Sequence, residues 1–461
     1  MRRALASKWG LRTRAGLELI GRRRGILLGV GVVTALVVLS ASGLASTAAI
    51  SPSNESASGE AGTGDDERVG GQQGSVASHP VERWARLRLA EMTTADKIRS
   101  LFIGHVSGVN PDGMRFAVAP VASGGAGWGG VILMRDNVVG SAEEMSVVTG
   151  LATAEPELPP IVSIDEEGGE VVRLPFDPYL GADDLRSLPV GATMEAFAGR
   201  GALLASVGIS VNFGIVADIT TDRGSFIFRR TLGDGPADSA DRVRAAVIAE
   251  QESVASTLKH FPGHGRTSGD SHVGIPVADV SLEQWRVSDA VPFAAGIDAG
   301  AQFVMFGHLA FTAVDSVPAS LSAAWHDVLR DDLGFDGITV TDDMLMLQAS
   351  GDPRWSDPYA NAVAALAAGN DALLYVFPAD PASVGIDVTA LVTTLVSAVD
   401  SGVVSRVRVD ESALKLLTFR RALAPGAASW RAPCDLGCTI LTEPRGTVPA
   451  GIAVADIPTA G

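Results

Sequence analysis

Aromatic side chains are scarce in this 461-residue chain, at 5% of residues against 46% hydrophobic overall. A core of this size must then be built from Ala, Val, Gly and Leu, which suits alternating strands and small-residue helices. Cysteine is rarer still, with only Cys434 and Cys438. Neither lies near the N-terminal apolar run, which excludes a lipid-modified cysteine as an anchor. No metal-binding or catalytic pattern surrounds them. Basic residues are outnumbered, 36 against 53 acidic, for a net charge of −17. The first 24 residues hold eight Arg or Lys and one acid, Glu18, so the remainder carries 28 basic against 52 acidic residues. So acidic a surface argues against a nucleic-acid partner, because phosphate binding needs clustered basic groups. No internal repeat of about 20–50 residues is present.

What the N-terminus does have is an uncharged, mostly apolar run, Gly25 to Ala49, behind Arg22, Arg23 and Arg24. A basic cluster before such a run marks an export signal or a signal anchor. Small residues at Ala45-Ser46-Thr47-Ala48-Ala49 allow cleavage, yet the run is also long enough to span a bilayer. Residues 1–49 therefore read as signal peptide or membrane anchor, and the folded part is expected outside the cytoplasm. Residues 50–80, rich in Ser, Gly, Glu, Asp and Gln, cannot bury enough apolar surface to fold and read as a flexible linker. Residues 81–425 read as one folded domain. Residues 426–461 form a Pro/Gly-rich tail, in which Cys434 and Cys438 would close a small disulfide loop in an exported protein.

Within the folded domain, eight short apolar runs alternate with amphipathic or Ala-rich segments. They are Ile98–Gly104, Gly129–Met134, Pro160–Asp165, Ile209–Gly214, Ser256–Phe261, Gln302–His308, Gly337–Asp343 and Asp371–Val376. Near-continuous apolar strands alternating with helices predict a parallel sheet covered on both faces. Eight such units fit an α/β fold of the (β/α)8 TIM-like barrel kind, with a doubly wound open sheet as the alternative.

Polar residues end four of these runs: Asp165, Lys259-His260, His308 and Asp342-Asp343. A barrel of this kind keeps its chemistry at the C-terminal ends of its strands. Three of the seven histidines, His260, His264 and His272, fall in one segment broken by Pro262, Gly263, Gly265 and Gly269. Asp342 is placed as an ionised carboxylate able to attack an electrophilic carbon or stabilise a cation. Asp270 and His272, two residues apart, suit a carboxylate that fixes a histidine's tautomer and leaves the other ring nitrogen to exchange a proton. Asp343 is expected to serve partly as a helix-start acid. His264 reads as loop architecture, His308 as pocket lining or a backbone partner, and His79, His105 and His326 as incidental. His260 and His264 stand four apart, a metal-binding spacing on a helix, but Pro262-Gly263 forbid that helix. A metal-dependent amidohydrolase and a non-catalytic wall-binding protein are thus the weaker alternatives.

The segment K-H-F-P-G-H-G followed by D-S-H, Lys259 to His272, resembles the signature of bacterial β-N-acetylhexosaminidases of glycoside hydrolase family 3. Ser163-Ile164-Asp165-Glu166-Glu167-Gly168-Gly169 with Arg173 is similar to that family's D-Q-E-G-G-x-V-x-R, with Glu166 in place of Gln adding a negative charge beside Asp165. Thr341-Asp342-Asp343-Met344-Leu345-Met346 resembles its S-D-D-L-x-M element, and Arg230-Thr231-Leu232-Gly233 sits where it has R-S-F-G. The resemblance runs from about Trp84 to Ala424. The D-S-H element marks the hexosaminidase branch rather than the two-domain glucosidases and xylosidases, and no second domain is expected after the barrel. The resemblance implies Asp342 as nucleophile, His272 as general acid/base oriented by Asp270, and Asp165, Arg173, Arg230, Lys259 and His260 as ligands of the terminal sugar. It implies a carbohydrate substrate ending in β-linked N-acetylglucosamine, a retaining double displacement, and neither metal nor cofactor.

Overall fold

The computed structural model describes residues 79–150, 155–267 and 269–431. The apolar run Gly25 to Ala49, most of the linker and the cysteine-bearing tail lie outside the described residues. Among the described residues, no helix is long and apolar enough to cross a membrane.

Eight parallel strands form one sheet: β1 (Phe102–Gly104), β2 (Gly130–Leu133), β3 (Ile161–Ile164), β4 (Val211–Val216), β5 (Ala255–Phe261), β6 (Phe303–Phe306), β7 (Ile338–Thr341) and β8 (Leu373–Tyr375). Sequence neighbours pair from β1 through β7, and β8 returns to β1 with Phe102 opposite Leu373. A parallel bridge between Val340 and Ala372 joins β7 to β8, so the ring closes. Each of the eight expected runs overlaps one strand, and the open-sheet alternative falls. Helices follow each strand, among them Val190–Ser206 after β3 and Pro236–Glu250 after β4. This is the (β/α)8 barrel.

Two boundaries differ from expectation: β4 extends to Val216, past the expected end at Gly214, and the first run starts in a helix. The run that starts at Ile98 begins inside a helix, Thr94–Ser100, because Thr93 and Asp96 form a reciprocal capping box that starts that helix early. Ile98 is buried within it, and β1 begins only at Phe102.

The few aromatic residues are concentrated where they support the site. Phe261, the last residue of β5, meets Trp285, Phe293, Phe306 and Trp325 edge-on at centroid distances of 5.7, 5.3, 5.0 and 5.8 Å. All five rings are fully buried. The indole N–H of Trp285 donates to the Pro262 carbonyl at 2.7 Å, so this cluster also fixes the turn that follows the strand. Truncating one such ring costs about 3–5 kcal/mol.

Candidate active site

At the C-terminal rim of the barrel, four strand ends contribute side chains to one charge network. Lys259, on β5, is 2% exposed and reaches across to two acids that follow β3. Its ammonium lies 2.8 Å from Asp165 Oδ1 and 2.8 Å from Glu167 Oε1. Arg230, from the loop after β4, forks onto the same Glu167 through Nε at 2.9 Å and Nη2 at 2.6 Å. Burial alone pushes the Glu167 carboxyl up, but the Lys259 and Arg230 charges outweigh it and bring it down to about 2. Burial lowers and the acids raise the Lys259 ammonium, with a net upward result. Arg173 completes this side, with Nη2 3.7 Å from Asp165 Oδ2.

His260 links the network to β4. Its Nδ1 lies 2.7 Å from Asp218 Oδ2, and its Nε2 lies 3.3 Å from Arg230 Nη2. With Nδ1–H donating to the carboxylate, Nε2 is left as the acceptor facing the guanidinium. Asp218 also accepts the main-chain N–H of His260 at 3.2 Å and that of His264 at 2.6 Å. One buried carboxylate thus holds both the imidazole and the turn that bears it. Asp218 was missed in the sequence, where the fourth run was ended at Gly214. The apolar run continues through Ile215-Val216-Ala217 into Asp218, and that strand-end acid was the available signal.

Asp342 follows β7. Burial raises its carboxyl, but His260, His308, the Asp343 N–H and Lys259 together outweigh burial and hold it below the ordinary carboxylate range. The Asp343 N–H donates to Asp342 Oδ1 at 2.8 Å. Asp343 has a different task. Its Oδ1 accepts the N–H of Val376, just past β8, at 2.9 Å and that of Leu345, in the first helical turn, at 3.2 Å. Burial, with the Asp342 charge adding to it, raises Asp343 to about 6. The helix-start role is therefore present, with a strand-end contact added. His308 is fully buried, with Nδ1 2.7 Å from Ser320 Oγ and Nε2 3.0 Å from the Asp343 carbonyl. It is a backbone partner for the turn carrying Asp342.

The remaining pair lies on the loop after β5. His272 Nδ1 is 2.7 Å from Asp270 Oδ1, which also accepts the His272 main-chain N–H at 3.0 Å. The histidine side chain is 65% exposed, so its Nε2 edge is open to a ligand or solvent. His264, by contrast, is buried against Phe226 and bonded to Thr267, and burial lowers it to about 4. It is loop architecture. His105 and His326 are likewise absorbed, one between the Phe377 carbonyl and Asp136, the other stacked 3.9 Å from Phe306.

Glu166 departs from the expectation that it adds charge beside Asp165. Its side chain turns beneath the rim and is fully buried, where Oε2 accepts the N–H groups of Arg173 at 2.8 Å and Leu174 at 3.1 Å. Burial, against those two N–H groups and with Asp177 adding to it, raises the carboxyl to about 8.

Among the described residues, no three His, Cys, Asp or Glu stand where they could share a metal ion. The site offers an ionised carboxylate, a dense set of fixed donors and acceptors, and a carboxylate-supported imidazole. That equipment suits nucleophilic attack with proton exchange.

Comparison with known proteins narrows the chemistry. Residues 124–419 match the glycosyl hydrolase family 3 N-terminal domain. The chain is 36% identical over 265 residues to a β-hexosaminidase of Chromobacterium violaceum, covering 53% of this chain and 71% of that protein. It is 34% identical over 254 residues to a β-hexosaminidase of Pseudomonas aeruginosa, covering 53% and 73%. A family 3 β-N-acetylglucosaminidase from Paenibacillus sp. superposes with a TM-score of 0.64 at 30% identity, over 76% of this chain and just under two thirds, 66%, of that chain. A β-N-acetylhexosaminidase from Beutenbergia cavernae superposes with a TM-score of 0.61 at 26% identity, over 72% of this chain and 99% of that one. With a family match across most of the barrel and a strand-end site of this composition, the chain belongs to glycosyl hydrolase family 3 and is a glycoside hydrolase.

Proposed function

We propose that the enzyme is an exo-acting, retaining β-N-acetylhexosaminidase that removes terminal β-linked N-acetylglucosamine from cell-wall fragments or chito-oligosaccharides. The observation that carries this reading is the depressed Asp342 carboxylate beside the Lys259–Arg230–His260 network, on a rim that also bears the Asp270–His272 pair. The similarity to proteins named as β-hexosaminidases supports the choice of sugar.

In the first step an Asp342 oxygen bonds to the anomeric carbon while the glycosidic C–O bond breaks. The leaving oxygen takes the proton from Nε2 of His272, whose Nδ1–H stays bonded to Asp270. In the second step water attacks the anomeric carbon, its proton returns to His272, and Asp342 departs as carboxylate. Asp165, Arg173, Arg230, Lys259 and His260 hold the hydroxyls and N-acetyl group of the terminal sugar. The enzyme works outside the cytoplasm, secreted or held by the N-terminal apolar segment.

Turnover of aryl β-N-acetylglucosaminide, β-glucoside and β-xyloside by the purified protein tests the proposal. Preference for the N-acetyl substrate, undiminished by a chelator, is the expected result. A clear preference for the glucoside or xyloside would move the assignment to the glucosidase and xylosidase type within the family. Loss of activity on chelation would overturn the metal-free mechanism.

A further inference from the structure

Beneath the Asp165–Arg173 side of the rim lies a second polar cluster, sealed from solvent, that the proposed chemistry does not use. Arg200, on helix Val190–Ser206, is completely buried, with Nε 2.8 Å from Asp177 Oδ2 and Nη2 donating to the carbonyls of Tyr179 and Leu180. Gly168 makes room for it: its φ is +81°, and a Cβ there would fall 2.3 Å from Arg200 Nη2. Asn212 in β4 pairs with the Glu166 main chain in both directions, at 3.0 and 2.9 Å, and donates to Glu250 Oε1 at 2.7 Å. Two carboxyl groups, Asp177 and Glu250, thus act on the one guanidinium, and Glu166 lies beside Asp177 in the same dry interior. One cation balances one carboxylate, and a second or third unpaired charge there is prohibitively costly.

The hydrogen bonds identify which carboxyl stays ionised. Asp177 is bound to Arg200, while Glu166 Oε1 is buried with no partner of its own, and the Asp177 carboxyl beside it pushes the Glu166 carboxyl up by its charge and by hydrogen bonding. Two carboxyl groups can share such a contact only if one keeps its proton. We infer that Glu166 is a positioning residue that stays protonated, donates that proton to Asp177, and with its other oxygen holds the Arg173–Leu174 main chain beneath Asp165. The groups acting on it are the Asp177 carboxyl and the N–H groups of Arg173 and Leu174, with Glu250 joined to its main chain through Asn212. Burial raises Glu250 to about 8 as well, so the cluster carries two protons that a rise in pH removes. Ionised Glu166 would confront Asp177 across the same contact, and the loop bearing Arg173 would be released.

The inference rests on the reading of Asp165 and Arg173 as sugar ligands, but its test does not depend on which sugar is bound. With whichever of the three aryl glycosides the enzyme turns over, KM of the wild type should rise about tenfold between pH 7 and 9, as the competent fraction falls to about a tenth. The Glu166→Gln amide makes both contacts without a titrating proton, so this variant should lose the alkaline rise in KM. Glu166→Leu, which cannot hold Arg173, should raise KM at every pH with a smaller change in kcat. Without any substrate, the thermal midpoint of Glu166→Gln relative to wild type should climb from pH 6 to pH 9. Identical KM profiles for wild type and Glu166→Gln would overturn the positioning role, even if the midpoints diverge. Midpoints that keep a constant separation across that range would overturn the retained proton.

Discussion

Replacing Glu167 by Gln tests the charge network at its centre. The carboxylate is buried, meets Lys259 and Arg230 at 2.6–2.9 Å, and is brought from 4.5 down to about 2. A difference of that size favours the ionised folded form by about 3 kcal/mol. Breaking a buried pair from one side costs about 3–5 kcal/mol by a separate route, since the cations left behind lose their counter-charge. Glu167→Gln should therefore lower the unfolding free energy at pH 7 by about 3 kcal/mol, read from urea titrations. The pH dependence fixes the cause. A depressed carboxyl contributes its stability above the unfolded value and loses it as pH falls toward the folded value. The gap between wild type and variant should be flat from pH 7 to about 5.5 and narrower by about 1 kcal/mol at pH 3.5. A gap below about 1 kcal/mol at pH 7, or one that does not narrow in acid, would refute the claim that Glu167 is held ionised by Lys259 and Arg230.

Asp342→Asn keeps the side chain's shape and removes its charge, so turnover should fall by several powers of ten while sugar binding persists; a 5-fluoro glycoside should label Asp342, and labelling of Asp343 or Asp165 would reassign the nucleophile. His272→Ala should lose about 10²- to 10⁴-fold on substrates with poor leaving groups and far less on dinitrophenyl glycosides, with azide restoring turnover. An equal loss on every leaving group, without rescue, would place the proton donor elsewhere. Asp218→Asn removes the charge that orients His260 and the His264 turn, so KM should rise at least tenfold, about the effect of losing an orienting partner behind an active group. An unchanged KM would show that the imidazole orients itself.

Much of this arrangement could be read from the chain because parallel strands buried on both faces leave uninterrupted apolar runs. A polar residue ending such a run, as at Asp165, His260, His308 and Asp342, is out of place unless it faces the rim. What escaped the sequence depended on partners distant in the chain. Glu167 stood in a quoted motif, yet only its contacts with Lys259 and Arg230 show it as the centre of the network. Asp218 required knowing that β4 runs two residues beyond Gly214. The upward push on the Glu166 carboxyl comes from burial, with Asp177 adding to it, a neighbourhood that no spacing encodes. The short parallel pair Val277–Ala278 and Ala310–Phe311 also went unseen, since two-residue strands carry no periodicity.

The Asp343 contacts bear on how mutational surveys of this rim should be interpreted. Through Asp343 the segment after β7 is stapled to the end of β8, at the seam where the ring of strands closes. Substituting Asp343 would loosen that seam and shift its neighbour, so activity would vanish at both positions for unrelated reasons. A survey scored only by product formation would rank the two aspartates as equals. Scored by protein recovered in the folded state, it would separate the carboxylate proposed as nucleophile from the one that ties β7 to β8.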